Sequence, residues 1–150
     1  ANAQSGPSPA TDQVFVTKAV QGGLAEVALA EMALDKSSAA GVKDFARMMV
    51  RDHGKANEEL TQTARRAGAN VPTEPSAEQK AIAAKLGVLS GVAFDEAYAT
   101  TMIEDHQETI ELFEREAAQG ENSALKAFAK ETLPTLKTHL DHSKRLPGAG

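Results

Sequence analysis

The sequence predicts an all-α protein: an antiparallel four-helix bundle with a short extra helix in the linker between its second and third long helices. Three observations carry this expectation. The 150 residues are rich in Ala, Leu, Glu and Lys but hold one Tyr, five Phe and no Trp, a mixture that favours helices over pleated strands. Apolar residues recur at three- and four-residue spacings along four long stretches. Ser, Gly and Pro breaks separate those stretches by mostly short connections, which favour antiparallel packing of successive helices. A chain of this length buries roughly 70% of the surface its unfolded form exposes, so neither a metal nor a disulfide is needed to explain folding.

Taken in order, Ala1 to Thr11, with Ser5, Gly6, Pro7, Ser8 and Pro9, reads as a flexible tether of the kind left after export processing. The bundle domain is expected over 12–146. A first helix should begin after Thr11 or Asp12 and run to about Lys36, with Phe15, Ala19, Gly23, Val27, Ala30 and Leu34 on one face. Small residues make most of that stripe. A second helix, about Ala39 to Ala67, carries Val42, Phe45, Ala46, Met49, Ala56, Leu60 and Ala64, and Gly68 caps it. Beyond Pro72 and Pro75 comes the short helix, about Ser76 to Leu86. The Ser90-Gly91 interruption then opens a long helix to about Ala118, with Ala99, Met102, Ile103, Ile110, Phe113 and Ala117 in its stripe. Gly120 ends it. The last helix, about Ser123 to Lys144, presents Leu125, Phe128, Ala129, Thr132, Leu133, Leu136 and Leu140, and Pro134 should kink it.

The histidines stand where core residues belong. His53 follows Met49 by four residues, His106 lies four from both Met102 and Ile110, and His139 follows Leu136 by three, so each points along an apolar stripe. On the first helix the matching oddity is Glu26, set at helical spacing among Ala19, Gly22, Gly23, Ala30 and Ala33. An isolated buried carboxylate is expensive. At about 1.5 Å rise per residue, Glu26, His53 and His106 fall near their helix midpoints. His139 falls about 7 to 8 Å past its own, an offset that stagger or the Pro134 kink can absorb. One carboxylate and three imidazoles meeting in one layer make a metal set for a transition ion, zinc first, with iron or copper as the other choices. The preceding Asp52 and Asp105 are placed to orient imidazoles on neighbouring helices. The competing reading is a metal-free buried polar network that fixes helix register. His142, near a helix end, reads as solvated. So do Glu58-Glu59 and Glu114 to Glu116, while Met32, Met48, Met49 and Met102 read as core filler.

Other chemistries find no support. The formal charge of -5 and scattered basic residues do not provide the phosphate-neutralising surface of a nucleic-acid binder. Without cysteine there is no disulfide framework, thiolate nucleophile or zinc-finger pattern. No apolar run is long enough for a membrane span, and no phosphate loop or nucleophile elbow appears, so no catalytic residue is assigned.

Met49-Val50-Arg51-Asp52-His53 aligns with Met102-Ile103-Glu104-Asp105-His106, which hints at duplication of a helical hairpin. Together with Val42-Lys43-Asp44-Phe45-Ala46, Phe94-Asp95, Tyr98 and the run Thr132 to Leu140, these segments resemble a bacterial family known as the domain of unknown function numbered 4142. The resemblance covers nearly all of the chain from Phe15 onward. It implies ferritin-like helical architecture and an exported, periplasmic or secreted protein, and it supplies no activity. Ferritin-like di-iron sites use Glu-x-x-His pairs, and no Glu stands three residues before any histidine here. The expectation is therefore a mononuclear metal-binding protein, with a metal-free interaction or stress-protection module and a metal-dependent enzyme as alternatives. A protein partner or a homodimer is left open.

Overall fold

Five helices make up the described part of the chain, residues 9–149 of a computed structural model. They are α1 (Ala10–Lys36), α2 (Ala40–Arg66), α3 (Ala77–Gly87), α4 (Gly91–Gln119) and α5 (Ser123–Ser143). Residues 1–8 of the expected tether lie outside the described residues, and α1 begins at Ala10, directly after Pro9. Proline is suited to this place because its fixed φ matches the entry and its missing N–H is not needed there.

The sequence chemistry at the other ends is local. Gly68 ends α2 with φ 80, a left-handed conformation that glycine adopts without a Cβ penalty. Ser76 and Gln79 close a reciprocal capping box on α3, satisfying two otherwise orphaned groups. The Asn122 side chain accepts from the Leu125 N–H at the start of α5, and α5 continues as one helix through Pro134.

α1 pairs with α2 and α4 with α5, and α1–α4 and α2–α5 contacts close the four-helix square. The apolar residues fall into two clusters. One joins the late part of α1 (Leu29, Ala30, Ala33) to the early parts of α2 (Val42, Phe45, Met49) and α4 (Phe94, Tyr98, Met102), with Leu86 and Leu146. The other joins the early part of α1 (Phe15, Val16, Val20) to the late parts of α2 (Leu60, Ala64) and α4 (Ile110, Phe113), with Leu125, Phe128 and Leu136 of α5. Each pair of touching helices is thus antiparallel, while α2 and α4 run the same way on opposite corners. The α2–α4 connection must travel back along the bundle to achieve this. Val71 packs on the second cluster, and Ile82, Leu86 and Leu89 on the first, so α3 is the apolar underside of that return. No helix among the described residues is long and apolar enough to cross a membrane.

Candidate metal centre

Between the two apolar clusters lies a polar layer. Glu26 on α1 falls between Val20 and Leu29, His53 on α2 between Met49 and Leu60, and His106 on α4 between Met102 and Ile110. His139 on α5 follows Leu136. All four are buried: Glu26 is 5% exposed, His53 7%, His106 2% and His139 1%. The three imidazoles each offer a nitrogen within 4.8 Å of the other two, an arrangement that can hold a metal ion. Bonds of 2.0–2.1 Å to imidazole put tetrahedral ligand nitrogens roughly 3.3 Å apart, so closing on an ion requires only small ring movements. Ring centroids stand 5.2 to 5.6 Å apart. Glu26 sits at the edge of this group, its Oε2 being 4.0 Å from His106 Nε2.

Hydrogen bonding fixes which nitrogens face inward. Nδ1 of His106 donates to the Met102 carbonyl at 2.8 Å, one turn back on its own helix, which leaves the Nε2 lone pair free. Nε2 of His139 donates to Asp52 Oδ2 at 2.8 Å, because a carboxylate can only accept. That leaves its Nδ1. These two lone-pair nitrogens, together with His53 Nε2 and Glu26 Oε2, are buried and have no hydrogen-bond partner in the protein. Four orphaned donor atoms in one layer are expensive, since buried polar atoms ordinarily find partners.

The electrostatics agree with neutral ligands. Burial, reinforced by the other two imidazoles, lowers the His53 pKa to about 3. Burial also lowers His106, to about 4, against the opposing bond to Met102. His139 moves down for the same first reason, although Asp52 opposes it. Metal ligation requires neutral imidazole, and these rings stay neutral well into acid. Burial pushes Glu26 well above the usual carboxyl range, as do the charge and hydrogen bond of Asp105. Two carboxyls share a hydrogen bond only when one carries a proton.

The duplicated Met-x-x-Asp-His segments play parallel parts. Asp52 on α2 reaches His139 on α5, and Asp105 on α4 reaches Glu26 on α1. The expected role of Asp52 as an imidazole acceptor is therefore seen, whereas Asp105 meets a carboxyl instead. Burial pushes Asp52 up, but bonds from Arg51 and His139 outweigh this and hold it below its ordinary value.

One acidic residue departs from the sequence reading: Glu116, expected on a solvated face, is 1% exposed. Beside it Asp12 is fully buried. Asp12 accepts the Glu121 and Asn122 N–H groups at 3.1 and 2.9 Å, which ties the start of α1 to the α4–α5 turn. The Glu116 carboxyl folds back over Gly120, where a Cβ would come within 2.4 Å of its Oε2. Burial, then the neighbouring Asp12 carboxyl, push Glu116 up to about 9. The signal was present, since Glu116 follows Phe113 by three residues on the inner stripe. Tyr98 likewise hides an unpartnered hydroxyl, its pKa raised by burial and by Glu26. His142 lies outside the group of ligand-competent histidines.

The family described as "Domain of unknown function (DUF4142)" matches residues 1–146. No curated protein matches the sequence. Among solved structures, a DUF305 fragment from Deinococcus radiodurans superposes with TM-score 0.80 at 16% identity, covering 93% of this chain and 97% of that one. CopM in its Cu(II)-bound form gives TM-score 0.73 at 19% identity, covering 89% and 93%. CopM co-crystallised with Ag gives 0.71 at 20% identity with the same coverage. At these identities the likeness is one of fold.

Proposed function

The chain belongs to the family DUF4142, whose description assigns no activity, and we propose that this member binds one transition-metal ion in the polar layer of its bundle. His53, His106 and His139 are the ligands in this reading, and Glu26 is the fourth donor. The observation that carries it is the set of four buried, unpartnered atoms, one from each long helix, with the outward nitrogens of His106 and His139 already occupied. A metal-free polar network would instead satisfy its own members, as buried networks must to be stable. Binding is favoured over catalysis.

Copper is the preferred ion, ahead of zinc. A nitrogen-rich site binds Cu(II) more tightly than Zn(II) among first-row divalent ions, and the Cu(II)-, Cu(I)- and Ag-bound forms of CopM share the fold. An extracytosolic location is part of the proposal and is supported by the resemblance to exported proteins alone.

Elemental analysis of the purified protein after incubation with Cu, Zn and Fe salts tests the reading. One equivalent of metal is expected, lost in His53→Ala, His106→Ala and His139→Ala. Wild-type protein that retains no metal after dialysis would remove the proposal.

A further inference from the structure

Resting on that metal reading, we propose that the site is an open one, in which the ion takes an exchangeable small ligand, water or a small anion, from a cavity beside Glu26 and His53. The cavity is about 30 Å³ and touches all four long helices. A space of roughly 10–15 Å³ suffices for one water, so it holds a molecule of one to three heavy atoms and excludes a larger chelating group. Two of the four unpartnered donor residues, Glu26 and His53, form part of its wall. Asn57 and Thr109 also line it, as does Lys18, which is exposed on α1. A lysine in the lining and a metal at the inner end suit an anion better than a second cation.

The α1 wall is built to leave this space. A Cβ at Gly22 would meet nothing within 4 Å, so the absence of a side chain there keeps volume open that packing does not demand. At adjacent Gly23 the Asn57 side chain already fills the space, and a Cβ would lie 1.9 Å from its Oδ1. One glycine is therefore explained by a neighbour, and the other by the cavity it borders. With His53, His106, His139 and Glu26 as the four protein donors, the small ligand from the cavity is a fifth, an expansion of the coordination shell that open metal sites permit and closed structural ones do not.

The test loads the full chain with Cu(II), confirms stoichiometry by elemental analysis, and titrates azide while following the azide-to-copper charge-transfer band. Saturable binding of one azide is expected. Gly22→Leu fills the cavity and should weaken azide at least tenfold with copper stoichiometry unchanged. Lys18→Glu, a surface change, should weaken it by a smaller factor and provides the result if Gly22→Leu does not fold. Copper bound without any azide band in the wild type would overturn the open site. So would azide affinity that neither variant alters, since the anion would then arrive by another route. Failure to bind copper at all is a separate outcome, read in the stoichiometry before azide is added, and it removes the metal reading and this inference together.

Discussion

At the scale of the residue, the centre depends on groups that never touch the ion. Asp52 holds His139 through the nitrogen that faces away from the other imidazoles, fixing both tautomer and ring orientation. Such outer partners typically change metal affinity 10–100-fold when removed. Asp52→Asn should therefore weaken copper binding by about that factor while the far-ultraviolet spectrum stays unchanged. Competition with a chelator of known affinity measures it, and an unaltered affinity would show that His139 is positioned without Asp52. Glu116 makes a different prediction. Its carboxyl titrates near 9 in the fold against 4.5 ordinarily, so the unfolded chain releases its proton first as pH rises. Stability is lost progressively across that window, at no more than about 1.4 kcal/mol per pH unit for one group. Glu116→Gln keeps the shape without titrating. Urea unfolding should find the variant gaining on the wild type between pH 5 and pH 8, and a constant difference would mean that Glu116 is not held protonated.

At the scale of the element, α1 is a helix of small residues whose two central glycines are unlike. Gly22→Ala introduces a methyl group with no neighbour within 4 Å, so the helix-propensity gain of about 1 kcal/mol over Gly should appear as a higher melting temperature. Gly23→Ala drives a methyl into the Asn57 amide. The displaced amide offsets the same propensity gain, and no rise in melting temperature is expected. Equal shifts in thermal scans of the two variants would show that Asn57 moves aside freely. Helix boundaries were largely legible in the sequence because the breaking residues act locally. Ser37, Gly68, Ser76 and Asn122 stand at or beside the ends of their helices. α1 begins at Ala10, slightly before the expected start after Thr11 or Asp12, and the acid in its first turn, Asp12, acts on the distant α4–α5 turn, a partner that no local signal specifies.

At the scale of the whole molecule, the polar layer divides the core, and its cost falls on the metal-free protein. His53 and His106 have folded pKa values near 3 and 4 against 6.5 ordinarily. Below about pH 6.5 the unfolded chain takes up protons that the folded chain refuses, so metal-free stability should fall steadily towards pH 4. Unfolding the double variant His53→Leu, His106→Leu over the same range should show a shallower slope, and an equal slope would assign the acid loss elsewhere. Copper binding only the folded form adds about 2.7 kcal/mol at one hundred times its dissociation constant. Thermal melts with and without copper check this, and unchanged curves would count against a site in the fold.

The sequence by itself determined the helices, the inward phase of Glu26, His53, His106 and His139, and the common depth of the first three, because helical periodicity and rise per residue are local regularities; the level of His139 was set by how α5 packs. It also revealed the repeated Asp-His pairs. Only the tertiary structure decided what those groups meet: which imidazole, that of His139, Asp52 holds, and a carboxyl rather than an imidazole for Asp105. The difference is physical. Spacing along one helix specifies which way a side chain points, whereas its partner is set by the rotation and stagger of a second helix. Here that placement follows from a return along the bundle that puts α2 and α4 parallel on opposite corners, and from two apolar clusters that lock the four polar residues between them.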